Sequence, residues 1–286
     1  MGCSTYSGVD RLHRAKTVGY ATKSINEIFT QQRERKAHKD MLPTGVAFRE
    51  ARDSELHPNS TPVQLWLDVT GSMGIIPQML IKDGLPKIIS TLIQRGVPDV
   101  ALMFGAIGDH ECDNYPLQVA QFESGDAELD MWLTRTYLEG GGGGNQGESY
   151  ALAWYYAANH IETDAWDKRK QKGFVFTIGD EPCLKTYPKS ALAALMGDAL
   201  NMEKQSYKAE ELCKAACERN HVFHIHIDRR NGKEGWEDLL GQHLLVVKSH
   251  EEIPALIAET IIKYVNINED YTTSVGSNTE ESQLFL

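Results

Sequence analysis

From residue 63 to residue 265 the chain repeats one pattern, and this restricts the possible fold more than any other feature. Residues 63–67, 99–107, 174–178, 222–227 and 244–247 read as buried strands. Between them lie helical stretches over about 75–94, 127–138, 148–161, 189–200 and 205–219, and a last one over 251–265. In that last helix Ile253, Leu256, Ile257, Ile261 and Tyr264 share a face. Such alternation predicts an α/β fold: a doubly wound, mainly parallel sheet with helices on both faces. Residues 116–122 follow strand 99–107 closely enough to form an antiparallel hairpin with it. Gly84 and Pro86 predict a bend in the helix over 75–94.

In such sheets ligands bind beyond the carboxyl ends of the strands. Three polar segments are expected there. Strand 63–67 runs into Asp68-Val-Thr70-Gly-Ser72, which places a carboxylate and two hydroxyls at alternate positions. That spacing brings the side chains into one small volume. The second segment is the glycine run 140–144 followed by Asn145-Gln-Gly-Glu148-Ser149. The third is Asp180 in Thr177-Ile-Gly-Asp180-Glu181-Pro, after strand 174–178. Oxygen-only donors suit a hard divalent cation: Mg2+ above all, with Mn2+ or Ca2+ as alternatives.

The order and spacing of these segments resemble the metal-ion-dependent adhesion site of von Willebrand factor type A (vWA) domains, over roughly residues 60–268. That family has Asp-x-Ser-x-Ser with Thr tolerated at the middle place, a Thr or Asp in the second segment and an Asp in the third. Gly-Gly-Asn-Gln-Gly-Glu and Gly-Asp-Glu-Pro are similar to a branch with Gly-Gly-Gly-Asp-x-Pro-Glu and Thr-Asp-Ala-Pro. The resemblance implies a metal site made by Asp68, Thr70, Ser72, Asn145 and Asp180. In it the cation takes a Glu or Asp from a partner protein, and the chain is not an enzyme. Intracellular bacterial relatives are often linked to AAA+ ATPases of the MoxR kind, so such an ATPase or its client is the partner implied. Asn145 departs from the pattern, because an amide oxygen ligates but brings no charge. Glu148 is a possible substitute. The competing expectation is that it opens the following helix, where a carboxylate suits the N-terminal dipole.

Two rivals remain. One is a metal-free scaffold on the same fold. The other is a phosphotransferase like the haloacid dehalogenases, which also place an Asp after one buried strand and Gly-Asp after a later one. That chemistry needs a second carboxylate two residues beyond the nucleophile. Thr70 stands there and cannot serve as an acid near neutral pH. Asp109, His110, Glu111 and Asp113 belong on the same rim and are expected to be solvated. His224 and His226 alternate on one side of a strand and read as core histidines rather than zinc ligands. Cys183 reads as a small buried side chain.

The net charge of −11 is unevenly spread and argues against a nucleic-acid partner. Residues 1–58 carry 10 Lys/Arg against 7 Asp/Glu, a net +3, and the remainder 19 against 33, a net −14. A basic, largely helical extension over 1–58 is therefore expected to lie against an acidic domain over 59–268, with a polar tail over 269–286. Residues 44–48 read as a short strand within it. No stretch is apolar enough to span a membrane and no apolar leader is visible. The Met1-Gly-Cys3 start fits neither lipidation signal, and five scattered cysteines suit a reducing compartment. The cytoplasm is the location expected.

Overall fold

The structure, a computed structural model, describes residues 4–280 apart from 45, 98, 142–144, 146, 198–201 and 229–232, with backbone alone at 81, 82 and 267–280. Its strands are β1 (Arg49–Ala51), β2 (Thr61–Asp68), β3 (Val100–Ile107), β4 (Leu117–Val119) and β5 (Ile161–Thr163). They continue with β6 (Gly173–Gly179), β7 (Thr186–Pro188), β8 (Ser206–Lys208), β9 (Asn220–Ile227) and β10 (Leu244–Val247). One sheet runs β10-β9-β6-β2-β3-β4, parallel except for β4, which returns antiparallel to β3. This is the mainly parallel α/β sheet expected, hairpin included.

The helices are α1 (Gly8–Val18), α2 (Ile25–Ile28), α3 (Ile76–Met79), α4 (Leu85–Gln94), α5 (Asp126–Thr134) and α6 (Ala151–Asn159). After them come α7 (Asp164–Arg169), α8 (Lys189–Met196), α9 (Ala209–Arg219), α10 (Trp236–Leu240) and α11 (Ile253–Glu280). α6 packs with α9, and α4 with α11. Alternation along β2 serves both layers. Leu65 and Leu67 face Leu80, Leu85 and Ile88 across a small apolar cavity of about 30 Å3. Trp66 points the other way and meets Tyr156 of α6 edge-on at 5.9 Å. Trp66 also lies across its β3 neighbour Gly105, where an added Cβ would stand 2.0 Å from the indole. A side chain at 105 and the indole at 66 are mutually exclusive.

Several elements differ from the sequence reading. The bend expected at Gly84 and Pro86 is a π-helical turn, Leu80–Gly84, between α3 and α4. Pro86 sits in the first turn of α4, where its missing N–H costs nothing. The short strand read at 44–48 lies instead at β1, because pairing with β5 sets its register from Arg49↔Ile161 to Ala51↔Thr163. The helix read from 148 begins at Ala151, since the backbone of Glu148 is committed to Pro182 and Leu184. The last helix runs on to Glu280, beyond the 251–265 expected. Residues 8–41 hold α1, α2 and two 3-10 turns. Their Tyr20, Ile28, Phe29 and Met41 join the same hydrophobic cluster as the sheet. Among the described residues no helix is long and apolar enough to cross a membrane.

Candidate metal centre

The strand order reverses around β2: the chain leaves it for β3 on one side and later reaches β6 on the other. The carboxyl ends of β2, β3 and β6 therefore border one crevice, as expected where connections diverge. Asp68 ends β2, Asp180 follows β6, and Asp109 stands just beyond β3. The glycine-rich segment closes the crevice through backbone bonds from Gly71 N to Gly141 O (2.8 Å) and from Gly140 N to Val69 O (3.3 Å). The rest of the glycine run, 142–144, lies outside the described residues.

Four of the five expected ligands form one continuous chain of contacts. Asp68 Oδ1 accepts from the Thr70 amide at 2.8 Å and from the Thr70 hydroxyl at 2.6 Å. Thr70 Oγ1 lies 3.3 Å from Ser72 Oγ, which donates to Asp180 Oδ1 at 2.7 Å. Asp68, Thr70 and Asp180 are buried. Among the described residues, no three His, Cys, Asp or Glu side chains make a ligand cage by themselves. The hydroxyl oxygens of Thr70 and Ser72 are what complete the donor set, and such an all-oxygen set fits a hard cation.

Asn145, the fifth, is turned elsewhere. Its side-chain amide donates to Asp109 Oδ2 at 2.6 Å and to Glu111 Oε2 at 3.0 Å. Asp109 is fully buried, accepts from the Glu111 amide at 2.9 Å, and donates its own amide to Asp113 Oδ2 at 2.8 Å. Asp109 is thus a buried hub, where a solvated rim charge was expected. His110 and Ser149 join it through a 2.7 Å contact between His110 Nδ1 and Ser149 Oγ.

Glu148 does not begin the helix. It forms a parallel bridge to Cys183, with its amide on Pro182 O and its carbonyl receiving Leu184 N. Its side chain is buried and its Oε2 has no hydrogen-bond partner among the described residues. Burial, then the charges of Asp68, Asp109, Asp113 and Glu181, push its carboxyl up to about 9. Asp68 is pushed up to about 7 by burial, with Asp180 adding and the bonds from Thr70 and Tyr150 opposing. A crevice of like charges with an orphaned carboxylate oxygen fits a cation.

Tyr150 was not singled out in the sequence. Its hydroxyl donates to Asp68 Oδ2 at 2.9 Å, so both carboxylate oxygens of Asp68 are held. Tyr150 packs edge-on against His224 and Trp236. The legible signal was Gly179, immediately before Asp180: a Cβ there would stand 1.8 Å from the Tyr150 hydroxyl. His224 is buried, stacked on Trp236 at 3.5 Å, with Nδ1 3.0 Å from Thr177 Oγ1. Burial drives its pKa well below the usual histidine value, as befits a neutral core residue. The Cys183 thiol is pushed up to about 12 by burial, which makes it inert.

No family model matches this chain, and no curated protein matches it. Among solved structures it is similar to proximal thread matrix protein 1 from the mussel byssus, at 12% identity and a TM-score of 0.46, over 71% of this chain and 47% of that one. The same byssus protein with a zinc-occupied MIDAS motif gives 14% identity and a TM-score of 0.45, over 71% and 48%. The pilus adhesin SpaC from Lactobacillus rhamnosus GG, in its open conformation, gives 11% and 0.47, over 76% and 31%. The chain thus spans about half, or a third, of the length of these structures.

Proposed function

We propose that the chain is a non-catalytic protein-binding module that uses a divalent cation, Mg2+ in the first place, to capture a Glu or Asp carboxylate of a partner protein. The observation that carries this reading is the contact chain Asp68–Thr70–Ser72–Asp180 at the carboxyl edge of the sheet. Thr70 and Ser72 offer hydroxyl lone pairs to the ion, while Asp68 and Asp180 orient those hydroxyls and supply charge. A bound cation supplies an open coordination position that a partner's carboxylate can fill. Thr70, two residues beyond Asp68, provides no general acid, which favours binding over phosphoryl transfer. A cytoplasmic location and a MoxR-type ATPase or its client as partner remain parts of this proposal.

Calorimetric titration with Mg2+ and Mn2+ tests it. Wild type is expected to bind one ion, and Asp68→Ala and Thr70→Ala to bind none. Unchanged binding in both variants would sink the assignment. A metal-free scaffold is the second reading, favoured by the mutual satisfaction of Thr70, Ser72 and both Asp side chains. It predicts no heat of binding for wild type.

A further inference from the structure

Cys112, Cys183, Cys213 and Cys217 are free thiols, and Cys3 lies outside the described residues. Three of the four are poor nucleophiles. Cys112 is exposed, but contact with Asp109 and the nearby charges of Asp113 and Glu111 push its thiol up to about 11. Cys183 is raised by burial, and Cys213 is itself buried. Cys217 differs on each count. It is half-buried in the last turn of α9, beside the exposed Glu218 and Arg219. Cys213 stands one turn before it on the same face of the helix. The two thiols act on each other. The bond from Cys213 draws the Cys217 thiol below its ordinary value, burial opposes this, and the Lys172 ammonium adds to the fall. The same contact, with burial, raises Cys213. Lys172 Nζ also donates to Cys217 O at 2.7 Å. That carbonyl lies at the helix end, so the ammonium offsets the negative dipole that would disfavour a thiolate there. An accessible sulfur beside a cation and a second thiol is what oxidation selects.

We propose that Cys217 and Cys213 form a peroxide-sensitive modification site, with Cys217 the attacking thiolate, Cys213 the resolving thiol and Lys172 the positioning cation. The inference is independent of the cation reading of the crevice. In the first step the Cys217 sulfur attacks one oxygen of hydrogen peroxide. An S–O bond forms, the O–O bond breaks, and the departing hydroxide takes up the proton that Cys217 released, giving water. The sulfur is oxidised and the peroxide reduced. In the second step the Cys213 sulfur attacks that of Cys217. The S–S bond forms, the S–O bond breaks, and the Cys213 proton leaves with the oxygen as a second water. Residues one turn apart on a helix have Cβ atoms about 5–6 Å apart, and a disulfide needs about 3.5–4.5 Å. The last turn of α9 must therefore tighten, and it is the turn least held: the helix stops at Arg219, and a lysine rather than a backbone amide takes the Cys217 carbonyl. A bond closed against the helix in this way is readily reduced again by a dithiol.

The full chain is reduced, treated with hydrogen peroxide, and mapped by mass spectrometry after the remaining thiols are alkylated. Wild type is expected to lose two hydrogens in a linkage between Cys213 and Cys217, restored by dithiothreitol. Cys213→Ala removes the resolving thiol and keeps a small apolar side chain in its place. Its Cys217 is expected to stop at the sulfenic acid, which a cyclic 1,3-dione traps as a stable adduct. Cys217→Ser is expected to leave Cys213 unmodified at the same peroxide concentration. The two replacements remove opposite members of the pair, so a failure of one to fold leaves the other as the test. Lys172→Gln should slow oxidation by about three- to tenfold, up to one pKa unit of thiolate near neutral pH, and Lys172→Arg should restore the rate. A wild-type chain that keeps both thiols at peroxide concentrations that modify Cys112 would overturn the proposal. So would a linkage of Cys183 to Cys213, or a bond between two copies of the chain. Equal rates in wild type and Lys172→Gln would overturn the role of the lysine.

Discussion

Asp68 is restrained at both carboxylate oxygens, by Thr70 on one side and Tyr150 on the other. Tyr150→Phe removes one donor from a buried carboxylate and leaves the ring in place. It should cost about 1–3 kcal/mol of stability, the penalty for orphaning such a group, measured by urea unfolding. A loss too small to measure would mean that Asp68 finds another donor. The raised carboxyls also set a pH dependence. In the folded, metal-free chain Glu148 titrates near 9 and Asp68 near 7, both above the ordinary carboxyl range. Each therefore contributes stability that is complete below its unfolded pKa and is lost as pH rises through its folded one. In EDTA the melting temperature should fall as pH rises from about 5 to about 9, and Glu148→Gln should flatten the fall. A wild-type profile no steeper than that of the variant would contradict this. The positions of the first and third segments at strand ends were legible because an Asp at the end of a buried apolar strand is a local pattern, reinforced in the first by the alternate hydroxyls Thr70 and Ser72. The roles of Asn145, Glu148 and Tyr150 were not, because each is decided by a contact 30 or more residues away: Asn145 with Asp109, Glu148 with Cys183, Tyr150 with Asp68.

At the scale of elements, strands covered on both faces declare themselves through composition: β6 (Gly173–Gly179), buried along its whole length, contains the 174–178 that was read. The short strands β5, β7 and β8 were missed, since three residues leave no period to detect and their partners alone define them. The start of α6 was misplaced for the same reason. Close approach is the physical rule that the sequence does state, through glycines beside large rings. Gly105→Ala places a methyl where the Trp66 indole lies, with β2 and β3 paired on both sides of the clash. It should destabilise the protein by about 1–3 kcal/mol, the usual cost of overpacking, read from urea midpoints. Trp66→Leu combined with Gly105→Ala should recover part of that loss, because the volume is exchanged rather than added. Purely additive losses would show that the indole is not what excludes the methyl.

For the molecule as a whole, the N-terminal segment is secured by charge at one end and by apolar packing at the other. Arg11 is buried and paired with Asp130, which also accepts from the Tyr20 hydroxyl at 2.6 Å. Arg14 Nε donates to Asp126 Oδ2 at 2.8 Å. Further along, Gln32 donates to Leu138 O at 2.8 Å, and Phe29 lines the cavity beneath β2 beside Leu133 and Leu138. The basic extension thus meets acidic positions on α5, and its apolar residues close the layer that carries α3 and α4. Because both parts share one hydrophobic cluster, they should unfold in a single transition. Arg11→Ala leaves buried Asp130 without its paired cation while Asp126 keeps Arg14, and breaking a buried pair in this way typically costs about 3–5 kcal/mol. The expected result is one cooperative transition at lower denaturant. A separate early transition with the main one unmoved would show that the extension folds apart from the sheet. Limited trypsin digestion gives an independent check. The exposed Arg33, Arg35, Lys36 and Lys39 should be cut before Arg11, whose side chain is inside. Arg11→Ala should speed cleavage at its neighbours Arg14 and Lys16, since the clamp that holds α1 against α5 is the contact being removed.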